Sequence, residues 1–335
     1  MSAASPMGGR RAPGIVAVSA VSVFLALSAA AHAAADVESS IGAGRQALHG
    51  ALRMPDGRAP VPAVLLIPGS GPTDRDGNAL RQGVRPNVLK LLAEGLGAQG
   101  IASLRFDKRG IGASAGAITA EADLRFDTYV DDVLAWSAFL SAQPRVTCVV
   151  LLGHSEGALI AALAAVRRPG ICGVISIAGA GRPAAQVLIS QLSAPQAGLT
   201  APLLQRALET IAILRSGRTI SDPPRQLASL FRPSIQPYLI SWFAYDPLAA
   251  LAAVRVPVLI LQGTTDLQVD PADARALAAA QPAATLVLLP GVNHVLKTAP
   301  AERAANLATY ADPDLPLAPQ VLPTVIEFVK QLGRQ

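Results

Sequence analysis

Apolar residues gather in six short runs along the chain: "VPAVLLIPG" (61–69), "GIASLRF" (100–106), "TCVVLLG" (147–153), "CGVISIAG" (172–179), "PVLILQG" (257–263) and "TLVLLPG" (285–291). Each is too continuous to be half exposed, which is how strands look when both faces of a parallel sheet are covered. Between the runs the period changes. Residues 87–99 and 127–143 read as amphipathic helices, the second with Asp127 as a candidate cap and Val130, Val133, Leu134 and Ala138 on one face. Strand alternating with helix predicts an α/β fold with a mostly parallel central sheet and helices on both faces.

The alternation stops between residues 182 and 250, where helical stretches such as "APLLQRALETIAIL" are punctuated by Pro and Gly and strand-like runs disappear. That segment is longer than an ordinary crossover and predicts a helical cap inserted into the sheet domain. The expected organisation is therefore a leader over 1–35, core over 36–181, cap over 182–250 and core again over 251–335.

The leader is read from Arg10 and Arg11, the stretch "GIVAVSAVSVFLALSAAA" and the small residues around Ala33 and Ala35. This is the layout of a cleavable secretory signal, so a periplasmic or secreted protein without stable membrane insertion is expected. The net charge is +5, but Arg10 and Arg11 supply two of those charges, and the rest are spread without basic runs. Nucleic acid is not an expected partner. Cys148 and Cys172 open two runs expected to be neighbouring strands, and in an oxidising compartment they could pair or remain two small buried residues.

The chemistry concentrates at "GHSEG". Gly153, Ser155 and Gly157 fit the G-x-S-x-G pattern between a buried strand and a helix-prone segment, the context in which a sharp turn lifts a serine hydroxyl above the sheet. A serine needs a base. Of the four histidines, His32 falls in the leader, His49 precedes the first long run, and His154 should point away from its neighbour; His294 in "LPGVNHVLK" remains. Asp266, directly after "PVLILQGTT", is the expected acid, and Asp270, before a proline, reads as a helix cap. An oxyanion hole would use the amide of Glu156 and one from "PGSGPTDRDGN", most simply Ser70, with Gly69 or Gly71 adjacent in register. Asp74, Asp76 and Asn78 alternate like a calcium loop, but Ala79 and Arg85 stand where its Gly and Glu belong. Asp107, Lys108 and Arg109 are read as bonding backbone in a tight "RGIG" turn.

With "PGSG", "FDKRGIGAS", "GHSEG", "QGTTD" and "GVNHVLK" in this order, the chain resembles the α/β-hydrolase superfamily, and within it the bacterial esterase and serine-aminopeptidase-type hydrolases. The resemblance implies Ser155 as nucleophile, Asp266 as acid and His294 as base. It departs from the common pattern at Pro68, where a histidine often stands. The expected activity is hydrolysis of small carboxylic esters through an acyl-enzyme. Peptide, amide or thioester cleavage is the alternative in the same chemistry, and a ligand receptor on the same fold is the alternative outside it. No metal cluster, phosphate loop or nucleotide fingerprint is present in the sequence, so no cofactor or metal is expected. Trp242 and Phe243, in a cap rich in apolar residues, are the candidate wall of an acyl pocket.

Overall fold

The computed structural model describes residues 1–4 and 35–333; apart from Met1 to Ala4 and Ala35, the leader expected over 1–35 lies outside them. The body is built on eight strands: β1 (Asp36–Ile41), β2 (Leu48–Arg53), β3 (Val61–Ile67), β4 (Ala102–Phe106), β5 (Val146–His154), β6 (Ile171–Ile177), β7 (Val258–Gly263) and β8 (Thr285–Leu289). They form one sheet in the order β1-β2-β4-β3-β5-β6-β7-β8. β1 to β2 and β2 to β4 are antiparallel, and all later pairs are parallel.

Strand periodicity divides the core between the two faces. In β3, Leu65 and Ile67 join one apolar cluster while Val64 and Leu66 join the other; in β5, Leu151 and Leu152 divide in the same way. The helices that cover them are α1 (Val88–Gly97), α2 (Phe126–Ser141), α3 (Glu156–Arg167), α4 (Ala184–Ser193), α5 (Ala201–Arg215), α6 (Ala228–Phe231), α7 (Gln236–Phe243), α8 (Pro247–Ala252), α9 (Pro271–Ala280), α10 (Arg303–Ala308) and α11 (Val321–Leu332). Val130, Val133 and Trp136 of α2 and Ile160 and Ala161 of α3 pack on one face, and Leu89 and Leu92 of α1 with Val325 and Val329 of α11 on the other. Each fully buried side chain of this size contributes roughly 1.5–3 kcal/mol. None of the described helices is long and apolar enough to cross a membrane.

Three details differ from the sequence reading. β1 and β2 carry no continuous apolar run: β1 is an exposed edge strand, held partly by Asp36 bonding Arg53 at 2.9 Å and Arg105 at 2.6 Å. β8, expected to be covered on both faces, is the opposite edge and only its last residue is buried. Asp127 lies inside the first turn of α2, whose cap position is Arg125. The Asp127 carboxylate instead accepts from Tyr245 Oη at 2.6 Å and Arg167 at 2.7 Å.

Between β6 and β7 the chain holds only helices and turns, α4 to α8. Ile211, Leu214, Phe231, Tyr238 and Leu239 of this segment sink into the α2–α3 side of the core. Its attachment to α2 is polar as well, because Phe126 N donates to Ser241 Oγ at 2.8 Å. Trp242 stacks on Phe126, with ring centroids 5.8 Å apart and planes at 5°. Cys148 and Cys172, near the amino ends of β5 and β6, are disulfide-bonded with their Cα atoms 5.8 Å apart.

The strand order also places the site. From β3 the chain crosses to β4 on one side and then returns to β5 on the other. A crevice opens outside the carboxyl ends of strands where the winding reverses, and the loops after β3 and β5 meet there.

Candidate active site

Ser155 occupies the turn between β5 and α3 with φ 56° and ψ −119°, outside the regions that L-residues ordinarily adopt. Such a conformation costs on the order of 1–3 kcal/mol and persists only where the surroundings dictate it. They do so here through sterics. A Cβ on Gly153 would lie 2.0 Å from Gly157 O, and one on Gly157 would lie 2.5 Å from Ile67 O. The amide of Ser155 donates to Ile177 O at 2.8 Å, tying the turn to β6. The result is a partly exposed hydroxyl at the wall of a cavity of about 770 Å³.

His294 and Asp266, which are 28 residues apart in sequence, are joined by a hydrogen bond of 2.8 Å from Nδ1 to Oδ2. Asp266 follows β7 and is fixed on both oxygens. Oδ1 accepts from the amides of Gln268 at 2.7 Å and Val269 at 3.0 Å, and Oδ2 accepts also from Gln262 Nε2 at 3.1 Å. Burial alone would raise the Asp266 pKa, but the His294 imidazole and these hydrogen bonds outweigh it and hold the carboxyl below its usual value. Since a carboxylate can only accept, Nδ1 carries the hydrogen and Nε2 is left as the basic nitrogen. Asp270 caps α9, accepting from Ala272 N at 2.8 Å.

The loop bearing His294 is held from within and from below. Asn293 Nδ2 donates to Thr309 Oγ1 at 2.7 Å and Asn306 Oδ1 at 3.2 Å, and Leu296 takes a left-handed φ of 59°. His154 Nε2 reaches the main-chain oxygen of His294 at 2.8 Å, with the two rings 4.8 Å apart. A carbonyl cannot donate, so His154 is the N–H tautomer at Nε2. Burial, then the neighbouring His294, pushes its pKa down to about 4 and keeps it neutral. Through that bond the side chain supports the His294 loop.

After β3, Gly69 packs against the elbow so closely that a Cβ there would lie 3.2 Å from Ser155 Cβ. Ser70 lines the cavity beside it. Among the described residues neither the Ser70 nor the Glu156 amide donates to another protein group. The "DKRG" charges separate. Asp107 serves its turn by accepting from Ala113 N at 3.0 Å, and binds Arg75 Nη2 at 2.9 Å. Arg109 binds buried Asp132 at 2.6 Å and Ala117 O at 2.8 Å. Lys108 keeps its main chain in the turn, its carbonyl accepting from Ile111 N at 3.0 Å, but its Nζ donates to Gly69 O at 3.1 Å and Glu156 Oε1 at 3.0 Å. Glu156 Oε2 accepts from Tyr238 Oη of α7 at 2.6 Å. The sequence reading missed the Glu156 side chain and Tyr238, because only the fold brings residues 108, 156 and 238 together. Further along the same loop, Asp74 Oδ1 accepts from the amides of Asp76 at 3.0 Å and Asn78 at 2.9 Å, while Asp76 pairs with Arg105 at 2.7 Å. Those oxygens serve the loop's own structure.

Trp242 and Phe243 line the cavity together with Leu159, Leu188, Ile235 and Leu239. Two carboxylates also line the cavity, and both are engaged: Glu156 as above, and Glu121 by Arg232 and Ser234.

Residues 87–299, from the start of α1 to just past His294, match the family described as "Serine aminopeptidase, S33". The chain belongs to this family. The chain is also similar to Esterase EstD of Thermotoga maritima, 31% identical over 227 residues, covering 68% of this chain and 52% of the relative. The chain thus spans about half the length of that curated relative. Solved structures similar to this S33 member include Est1E from Butyrivibrio proteoclasticus, at 19% identity and TM-score 0.56, covering 89% of this chain and 99% of that one. The α/β hydrolase GrgF from Penicillium sp. sh18 has 18% identity and TM-score 0.58, with 90% and 99% covered. The likeness establishes the α/β-hydrolase fold.

Proposed function

We propose that this S33-family protein hydrolyses small carboxylic esters through an acyl-enzyme formed on Ser155. The observation that carries the reading is the hydrogen-bonded His294–Asp266 pair, on a loop anchored to the residue beside the strained serine. Ser155 Oγ attacks the acyl carbon and its proton passes to His294 Nε2. Asp266 steadies the resulting imidazolium, and the tetrahedral oxygen is met by the amides of Ser70 and Glu156. The imidazolium then returns the proton to the leaving alcohol, and water, activated by the same histidine, releases the acid. Trp242 and Phe243 provide apolar wall for the acyl group.

The engaged carboxylates favour an ester over a free-amine peptide substrate. An aminopeptidase must receive an ammonium group, and Glu121 and Glu156 are already committed to Arg232 and Lys108. The esterase named among the relatives supports the same choice. We also propose export to an oxidising compartment, for which the basic and apolar N-terminal sequence and the Cys148–Cys172 pair are the support.

The deciding experiment labels the protein with a fluorophosphonate and assays p-nitrophenyl esters beside aminoacyl amides. Rapid labelling of wild type, none of Ser155→Ala, and turnover of esters far above amides is the expected result. Efficient aminoacyl-amide cleavage, or labelling that survives Ser155→Ala, would reject the reading.

A further inference from the structure

We infer that the buried Lys108–Glu156 ion pair positions both donors of the oxyanion hole, making these two side chains positioning residues for the acyl-transfer reaction; this rests on the acyl-enzyme reading above. The chain of contacts is short. Lys108 and Glu156 are 3% and 5% exposed, and their side chains meet at 3.0 Å.

On one side, Lys108 Nζ holds Gly69 O at 3.1 Å. The carbonyl of Gly69 and the N–H of Ser70 belong to one planar trans peptide, so fixing the first fixes the second in the opposite direction. That peptide lies against Ser155, as the 3.2 Å approach of a Gly69 Cβ shows. The cation at its oxygen also polarises the peptide and strengthens the N–H as a donor.

On the other side, Glu156 is the residue after the nucleophile, and its own amide is the second donor. Its side chain is held by Lys108 at Oε1 and Tyr238 at Oε2. Lys108 is in turn seated over the Tyr129 ring, 4.3 Å from the centroid. The two peptides that face the developing oxyanion come from different loops, and this ion pair joins them. A buried pair of this kind contributes little net stability compared with apolar residues of the same size. What it supplies is geometry, which a transition state reads more sharply than a ground state.

The test compares wild type, Lys108→Met and the double variant Lys108→Met/Glu156→Gln. The double variant removes both charges at similar volume, so neither is left buried alone if the single variant unfolds. For the folded double variant, kcat on a short-chain p-nitrophenyl ester is expected to fall about 100-fold with KM within about twofold. Affinity for an aryl trifluoromethyl ketone, whose hemiketal oxygen occupies the hole, should fall by the same factor as kcat/KM. A folded double variant with kcat within about threefold of wild type, or with undiminished ketone affinity, overturns the inference. Ser155→Ala, run in parallel, separates the two readings: inactivity there beside an undamaged double variant rejects the positioning role alone, whereas activity surviving in Ser155→Ala rejects the acyl-enzyme reading with it.

Discussion

His154 and His294, 140 residues apart, are linked by a 2.8 Å hydrogen bond from ring nitrogen to main-chain oxygen, so the residue preceding the elbow serine also holds the loop of the expected base. His154 stays neutral there because burial, then the neighbouring His294, holds its pKa to about 4 against an ordinary 6.5. The unfolded chain therefore binds the extra proton first as pH falls. This share of stability is complete above about pH 6.5 and is lost progressively toward pH 4. At pH 5 the loss should be about 2 kcal/mol relative to pH 8. Urea melts of wild type and His154→Gln at both pH values check it: the pH-dependent loss should be smaller in the variant by that amount, and equal losses would remove His154 as the titrating group.

Replacing Ser155 or His294 by Ala should lower kcat by about 10⁴-fold or more, and Asp266→Asn by a comparable factor, with circular dichroism unchanged. Asp270→Asn should stay within a few-fold, since that carboxylate caps α9. Reversed results for the two aspartates would reassign the acid.

Gly157→Ala places a methyl 2.5 Å from Ile67 O and 2.8 Å from Pro68 O, all main chain that cannot yield without moving β3. A destabilisation of about 3 kcal/mol or more is expected in denaturant titration. Gly170→Ala, with open space but φ of 86°, should cost only about 1 kcal/mol.

Acyl preference should follow the helical wall. Each methylene that finds apolar lining is worth about 0.8 kcal/mol, close to fourfold in kcat/KM, until the cavity is filled. Phe243→Ala and Trp242→Ala should shift the preferred chain length while labelling by a small organophosphate proceeds at the wild-type rate. An unchanged acyl profile with lost labelling would mean these residues support the catalytic core instead.

Cys148 and Cys172 should yield no thiol to Ellman's reagent when the protein is denatured without reductant. Two titratable thiols would contradict the pairing. The Cys148→Ser/Cys172→Ser variant opens a loop spanning 24 residues, which should cost roughly 3 kcal/mol. Its kcat should not change, because the bridge lies at the amino end of β5, about 20 Å of strand from Ser155.

The parallel strands were legible because burial on both faces writes an unbroken apolar run, as in "VPAVLLI" and "VVLLG". β1, "DVESSI", is an exposed edge strand held by its ladder to β2 and by ion pairs, and nothing in its own residues states that Arg53 and Arg105 await Asp36. The candidates Ser155, Asp266 and His294 stand out in the sequence because each follows an apolar run within a few residues, and the structure brings Asp266 and His294 together. Lys108 was read as a turn residue because its neighbours Asp107 and Gly110 do form that turn. Its partners at 69 and 156 become neighbours only when β3, β4 and β5 align, and Glu156 meets Tyr238 only once α7 packs beside them.

The 2.6 Å bond from Tyr238 to Glu156 ties the helical segment to the residue after the elbow serine. Tyr238 lines the cavity from α7, and on the proposed mechanism Glu156 carries one donor of the oxyanion hole and holds the lysine that orients the other. On the proposed mechanism, any substrate that displaced Tyr238 would break that bond and loosen the oxyanion hole with it, so the buried α7 helix limits substrate size and supports catalysis through one contact.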